Sequence, residues 1–333
     1  MDRLFPAEEK KKISRVAFAF FAMLVVATAI QIAAALLLSA YAPEITEKTW
    51  YVWALSMIPI YVFGLPVCLA VIKKVPARER EKHSMTFGQF MVALVMCFGI
   101  MYPLSIVGNL LNMLFGALSG RAVNPVEAAI SSSTPLMTII FAVVLGPILE
   151  ELLFRGLIVG RMRRYGDKAA ILFSATLFAF YHGNFSQLFY AFGLGLFFAF
   201  IYARTGKLRY TMGLHMIINF IGSVVSSFVV GKIDLERLQQ NAFSALEGGV
   251  EGLRSMAGSI GPMLLLALYS QVLLGLCAAG IILLIVKRRR FVCQPGPVEI
   301  PKGRMFSSLY LNPGFILFFI ASLALIVMSM IGI

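Results

Sequence analysis

The sequence predicts an all-α, polytopic transmembrane bundle of about nine spans, with a range of seven to nine, and a cytoplasmic N-terminus. Three observations carry this. Of 333 residues, 59% are hydrophobic and 14% charged, and the mean hydropathy is +0.86, far from the composition of a water-soluble domain. Apolar runs long enough to cross a hydrocarbon core, about 20 residues each, recur along the whole chain between short polar or Gly/Pro-containing connections. The basic residues alternate with those runs, as the positive-inside bias requires.

The runs cover approximately residues 14 to 41, 50 to 72, 87 to 117, 134 to 160, 169 to 184, 186 to 203, 209 to 230, 259 to 286 and 306 to 332. The fifth and sixth are short and meet at His182-Gly183-Asn184-Phe185-Ser186, so one tilted hairpin that does not fully span is an alternative to two spans. The first run is too long for a secretory signal peptide, although Ser39-Ala40-Tyr41-Ala42 offers small residues for cleavage. The chain divides into N-terminal helices (1–129), a polar-residue-bearing core (130–225), and an outer loop with C-terminal helices (226–333). In that last part, residues 231 to 258 mix Leu235, Leu238, Phe243 and Leu246 with Asp234, Glu236, Glu247 and Glu251, which suggests an amphipathic helix at the membrane interface.

A net charge of +13 raises the question of nucleic acid, and the distribution of the charge answers it. Basic clusters precede the first run and follow the second, fourth, sixth and eighth, which puts 23 of the 29 Lys and Arg residues on one face. Lys48, Arg121, Lys232, Arg237 and Arg254 fall on the other, and Arg155 lies within a run. The rich face is expected to be cytoplasmic, and the basic residues read as topology signals with no nucleic-acid partner. Four cysteines, Cys68, Cys97, Cys277 and Cys293, show neither CxxC nor metal-ligand spacing, so disulfides are not expected. The C-terminal Met-Ser-Met-Ile-Gly-Ile carries no lipidation signal, and the bilayer is expected to hold the chain by its own spans.

Charged side chains within a span cost roughly 2.5–3.5 kcal/mol near its centre on insertion scales, so those present call for a reason. The fourth run reads Gly146-Pro147-Ile148-Leu149-Glu150-Glu151-Leu152-Leu153-Phe154-Arg155-Gly156. Glu151 and Arg155 are four apart, acid first, the favourable order for an ion pair on one helix face. Glu150 points about 100° away. This geometry assigns Arg155 to hold Glu151 ionised and leaves Glu150 to accept a proton from water. A structural Glu–Arg pair joining helices accounts for the first two residues but not for Glu150.

Of three histidines, His83 lies in a basic loop, whereas His182 and His215 fall in or at the ends of runs. Phe178, four residues before His182, packs beside the imidazole on a helix; taken alone it reads as core. Asn219, four residues after His215, puts an imidazole and an amide donor on one face, a pair suited to stabilising an oxyanion. Counting ~1.5 Å of rise per residue from the nearest basic residue puts Glu150 at ~16 Å, Asn219 at ~15 Å, His215 at ~9 Å and His182 at ~21 Å. The first two levels agree; the histidines converge with them only through tilt, a buried loop or other boundaries. Gly156 with Gly160, and Gly193 with Gly195, are read as close-packing positions.

Glu150-Glu151-x-x-x-Arg155, then Phe178-x-x-x-His182, then His215-x-x-x-Asn219, in that order on successive membrane segments, resembles the CPBP family of intramembrane proteases. That family includes the eukaryotic type II CAAX prenyl endopeptidases and bacterial relatives linked to bacteriocin maturation or self-immunity. The resemblance covers about residues 130 to 225, with every key residue present. It implies a cavity open to the cytoplasmic side, with Glu150 activating water, His182 assisting, His215 with Asn219 stabilising the oxyanion, and Glu151 with Arg155 supporting the site. It also implies a membrane-associated peptide or protein substrate, prenylated CAAX-type or a leader peptide, and a prokaryotic plasma membrane is the expected location.

Family members are commonly described as metalloproteases, and His182, His215 and Glu150 are the residue types that zinc prefers in hydrolytic sites. A divalent metal such as zinc and a metal-free, glutamate-dependent hydrolysis both use these residues. No HExxH, Gly-x-Gly-Asp or Gly-x-Ser-Gly motif supports another protease mechanism. Two readings from other classes stand beside the enzyme. One is a secondary transporter or ion-coupled channel using the intramembrane Glu/His cluster, against which no inverted repeat is apparent. The other is a non-catalytic partner-binding or immunity membrane protein, which would not need the full set of residues.

Overall fold

The computed structural model describes residues 5–78, 81–119, 125–234, 240 and 250–331. Among the described residues, nine principal helices follow the nine apolar runs: α1 (Ala7–Tyr41), α2 (Tyr51–Ile72), α3 (Phe87–Ala117), α4 (Pro135–Tyr165), α5 (Asp167–Tyr181), α6 (Phe185–Thr205), α7 (Leu208–Val230), α8 (Ile260–Val286) and α9 (Pro313–Ile331). Among the described residues eight of these are long and apolar enough to cross a membrane, and no strand occurs. The protein is an integral membrane protein built as an all-α bundle. Residues 235–239 and 241–249 of the amphipathic segment expected at 231–258 lie outside the described residues.

The exception is α5, and its length decides the matter. Fifteen residues rise about 22 Å, short of the roughly 30 Å of a hydrocarbon core. It stops because Gly183 adopts φ +61°, the left-handed conformation that closes helices. Asn184 then caps α6, its side chain accepting from the Gln187 N–H at 2.9 Å and donating to the His182 carbonyl at 2.8 Å. The fifth and sixth runs are therefore a hairpin with one short arm, not two full spans. The last run likewise begins later than its hydropathy suggests. Asn312 caps α9 by accepting the Phe315 N–H at 3.0 Å, and Pro313 occupies the first turn, where no N–H is needed.

The expected charge alternation corresponds to a physical face. Glu9 accepts from Arg164 at 3.0 Å and from the Tyr165 hydroxyl at 2.7 Å. Arg161 donates to the Val75 carbonyl at 2.9 Å, and the Arg78 N–H to Gly160 at 2.9 Å. The His83 N–H reaches Thr205 at 2.9 Å, and Asp167 accepts the Gln294 N–H at 2.9 Å. All five basic clusters thus meet at one end of the bundle.

Two apolar cores form. One draws on α1, α2, α4, α5, α6 and α9, the other on α3, α6 and α7, so α6 contributes to both. Backbones approach closely where glycines allow it. A Cβ on Gly280 would lie 2.3 Å from the Val95 carbonyl oxygen, which marks a tight α3–α8 crossing. One on Gly193 would meet Leu104 at 2.4 Å, and one on Gly195 the Phe178 ring at 3.2 Å. Gly156 does not play this part: its nearest neighbours would be 3.8 Å away.

Among the described residues four stretches are wound as π-helix, Pro59–Gly64 in α2, Ile139–Leu145 and Leu152–Val159 in α4, and Phe220–Val225 in α7. Proline explains the first two. In α4 the Gly146 N–H bonds to the Phe141 carbonyl, and Pro147, the next residue, has no N–H to offer. The Ala142 carbonyl is left without its usual helical donor. The same sequence of events occurs in α2, where the Leu65 N–H bonds to Ile60 and Pro66 follows. Carbonyls released by π winding are taken by side chains from neighbouring helices, as the site shows.

Candidate active site

The polar residues gather at the seam between the two cores, where α4, α5, α6 and α7 meet. Glu151 and Arg155 are both fully buried, with Nε 3.2 Å from Oε2. The approach is an ion pair by distance whose angles fall outside a hydrogen bond, and the guanidinium nitrogens find no hydrogen-bond acceptor among the described residues. Aromatic faces surround them. The guanidinium carbon lies 4.3 Å from the Phe178 ring centre and 5.4 Å from that of Phe198, a cation–π clamp with one ring from each core.

His215 stands between the two acids. Its Nδ1 is 3.1 Å from Glu151 Oε1 and its Nε2 is 3.7 Å from Glu150 Oε2. A carboxylate only accepts, so the ring proton facing Glu151 sits on Nδ1. The buried Thr211 hydroxyl, one turn before His215, also lies within reach of Glu151. Glu150 has its side chain 18% exposed and makes no closer polar contact among the described residues than this 3.7 Å approach.

His182 is placed by the turn that ends α5. Its Nδ1 is 2.7 Å from the Phe178 carbonyl, which again can only accept, so Nδ1 carries the proton and Nε2 is left with a lone pair. The Phe178 ring stands edge-on to it at 4.8 Å and 84°. His182 is within electrostatic reach of Glu150, His215 and Arg155. The Phe178 ring also lies 5.9 Å from that of His215, so it faces three residues of the site, Arg155, His182 and His215.

Asn219 lies farther out. Its Nδ2 donates to the Ala142 carbonyl at 2.9 Å, the group orphaned by Pro147. One amide hydrogen is thus engaged in holding α7 to α4, and one is left. The expected agreement in depth between Glu150 and Asn219 does not hold. His215 is level with the glutamates, and Asn219 is level with Ala142, two turns before them. The two helices are offset along the bundle axis, so Arg209 and Arg161 do not mark the same height.

Ser174 supports α4 in the same way that Asn219 does, its buried hydroxyl donating to the Phe154 carbonyl at 2.9 Å within the second π stretch of α4. Tyr61 and Tyr181, hydroxyls 3.3 Å apart, lie within electrostatic reach of Glu150. Sequence reading singled out none of Phe198, Ser174, Thr211, Tyr61 and Tyr181. The first two belong to ordinary apolar helix faces, and only Thr211, four residues before His215, had a spacing signal. For a metal, the donor types of Glu150, His182 and His215 are suitable. As placed, no three His, Cys, Asp or Glu side chains among the described residues gather at metal-ligand spacing.

A match to a known protein family falls on this same region. The family model for type II CAAX prenyl endopeptidase Rce1-like proteins matches residues 132–221. A protein of Bacillus subtilis named "Putative membrane peptidase YdiL" is 27% identical over 165 residues, covering 48% of this chain and 66% of that protein. The "Membrane-embedded CAAX protease MroQ" of Staphylococcus aureus is 25% identical over 189 residues, covering 53% and 73%. No solved structure matches the chain. The matched stretch thus contains all six polar residues of the site and resembles the Rce1-like type II CAAX prenyl endopeptidases, with further apolar helices on either side of it in this chain.

Proposed function

We propose that the chain is an intramembrane endopeptidase that hydrolyses a peptide bond of a membrane-associated substrate with water activated by Glu150. The observation that carries this reading is His215 held between two glutamates, 3.1 Å from one and 3.7 Å from the other, inside a membrane-spanning helix bundle. The names of the two bacterial relatives and of the matching family point the same way.

Each residue then has a task. Glu150, the less engaged acid, takes a proton from water as the oxygen attacks the scissile carbonyl, and later delivers it to the leaving nitrogen. The Nε2 lone pair of His182 orients that water. Glu151 holds the Nδ1 proton of His215 and stabilises the imidazolium form, whose Nε2–H donates to the oxyanion, in the manner of an acid–histidine pair. The remaining Asn219 N–H is a second donor. Arg155, clamped by Phe178 and Phe198, keeps Glu151 charged. Glu150, His182 and His215 have donor types that zinc accepts but do not gather at metal-ligand spacing among the described residues, and no step above depends on a metal.

The substrate we propose is a prenylated CAAX-type peptide or a leader peptide, entering at the basic end of the bundle, taken to be the cytoplasmic face of a prokaryotic plasma membrane. The test is cleavage of prenylated and unprenylated peptides by purified protein in liposomes, with Glu150→Gln and His215→Ala beside the parent, with and without chelator. Cleavage lost in both variants supports the reading, and loss with chelator assigns the metal. Cleavage that survives both substitutions overturns it. Ion flux that depends on Glu150 while no peptide is cut replaces it with transport.

A further inference from the structure

A groove of about 840 Å³ opens between the start of α1, the end of α2 and the start of α9, away from the site described above. Its rim carries Lys10, Lys11, Arg15 and Lys74, and Phe18, Val71 and Leu317 are among its apolar walls. Lys11 is bound to Glu8 at 2.9 Å, whereas Lys10, Arg15 and Lys74 make no ion pair among the described residues. The positive end of the α9 dipole adds to them, since Pro313 and Gly314 line the groove. Its shape is built in: the Gly314 N–H donates to the Ser14 hydroxyl at 2.9 Å, and a Cβ at Gly314 would collide with the Ser14 carbonyl, so α1 and α9 touch here.

Two properties select the occupant. Three cations that form no ion pair among the described residues, lining one groove, favour a negative group. The walls continue outward as apolar side chains, Phe18 at 40% and Leu317 at 39% exposure, on helices that face the bilayer. A soluble anion would use only the first property. We propose that this groove binds an anionic phospholipid, its phosphate held by Lys10, Arg15 and Lys74 and an acyl chain lying along Phe18, Val71 and Leu317. Basic recesses between spans at the membrane–water boundary suit such headgroups, each cation near the surface contributing about five-fold in affinity.

The test is native mass spectrometry of the full chain in detergent, mixed with phosphatidylglycerol or phosphatidylcholine of identical acyl chains. One retained phosphatidylglycerol, preferred over phosphatidylcholine, is expected. The variant Lys10→Gln/Arg15→Gln/Lys74→Gln should lose the preference by roughly five-fold per charge, and Leu317→Trp should reduce lipid retention by obstructing the chain. Arg288→Gln/Arg289→Gln/Lys302→Gln, an equal loss of charge on the same face, should change nothing. An unchanged preference in the groove variant, or an equal loss in the control, overturns the site. Displacement by millimolar inorganic phosphate with no effect of Leu317→Trp would make it a free-anion site and overturn the lipid assignment.

Discussion

Asn219 donates to the carbonyl of Ala142, seventy-seven residues earlier in the chain, at 2.9 Å. That carbonyl is available because Pro147 cannot serve it. Removing the donor leaves a polar group unpaired inside the bundle, at a cost of about 1–3 kcal/mol. Asn219→Ala should therefore lower the thermal unfolding midpoint. In a Pro147→Ala background the new N–H at 147 can bond to Ala142, and the same substitution should cost less. A double-mutant cycle checks this; a coupling below about 0.5 kcal/mol would disconnect the two residues.

The two adjacent glutamates should behave oppositely. Glu151→Gln strands a fully buried Arg155, a loss of about 3–5 kcal/mol. Glu150 is partly exposed, and Glu150→Gln should keep the fold within about 1 kcal/mol while abolishing cleavage. Pairing Glu151→Gln with Arg155→Met should recover much of the stability but none of the activity. Detergent unfolding curves beside the liposome cleavage assay separate these cases.

The aromatic clamp predicts a role for Phe198. Phe198→Leu keeps an apolar side chain but removes one face of the clamp on Arg155, 5.4 Å from its ring centre. A cost of about 0.5–2 kcal/mol is expected. If Phe198 positions Glu151 through Arg155, kcat should fall with KM unchanged. A change confined to KM would place Phe198 against substrate instead.

Helix crossings give a fourth contrast. Gly280→Ala should destabilise the protein strongly, because its Cβ would lie 2.3 Å from backbone on α3. Gly275, five residues earlier on α8, has open space around it, and Gly275→Ala should be neutral or stabilising by up to about 1 kcal/mol. Thermal unfolding of the two variants distinguishes a packing contact from a simple helix-propensity effect.

The class of protein, the order of its helices and the face that carries its charge were all legible in the sequence, because the bilayer imposes them through composition, run length and the placement of Lys and Arg. Glu150, Glu151, Arg155, His182, His215 and Asn219 stood out as candidates too, since ionisable and amide side chains in apolar runs are too costly to be incidental, and Phe178 was marked only by its spacing from His182. Helical spacing also anticipated the Glu151–Arg155 pair. Which residues meet across helices was not legible. Counting rise per residue paired Glu150 with Asn219, and the bundle pairs the glutamates with His215 because α4 and α7 are offset. Phe198 and Ser174 gave no signal, since a ring that clamps a guanidinium and a hydroxyl that meets a π-helix carbonyl look like any other residue on an apolar face. Membrane segments announce themselves through their interaction with lipid, a property of each run alone, whereas the site depends on register between runs, which only packing sets.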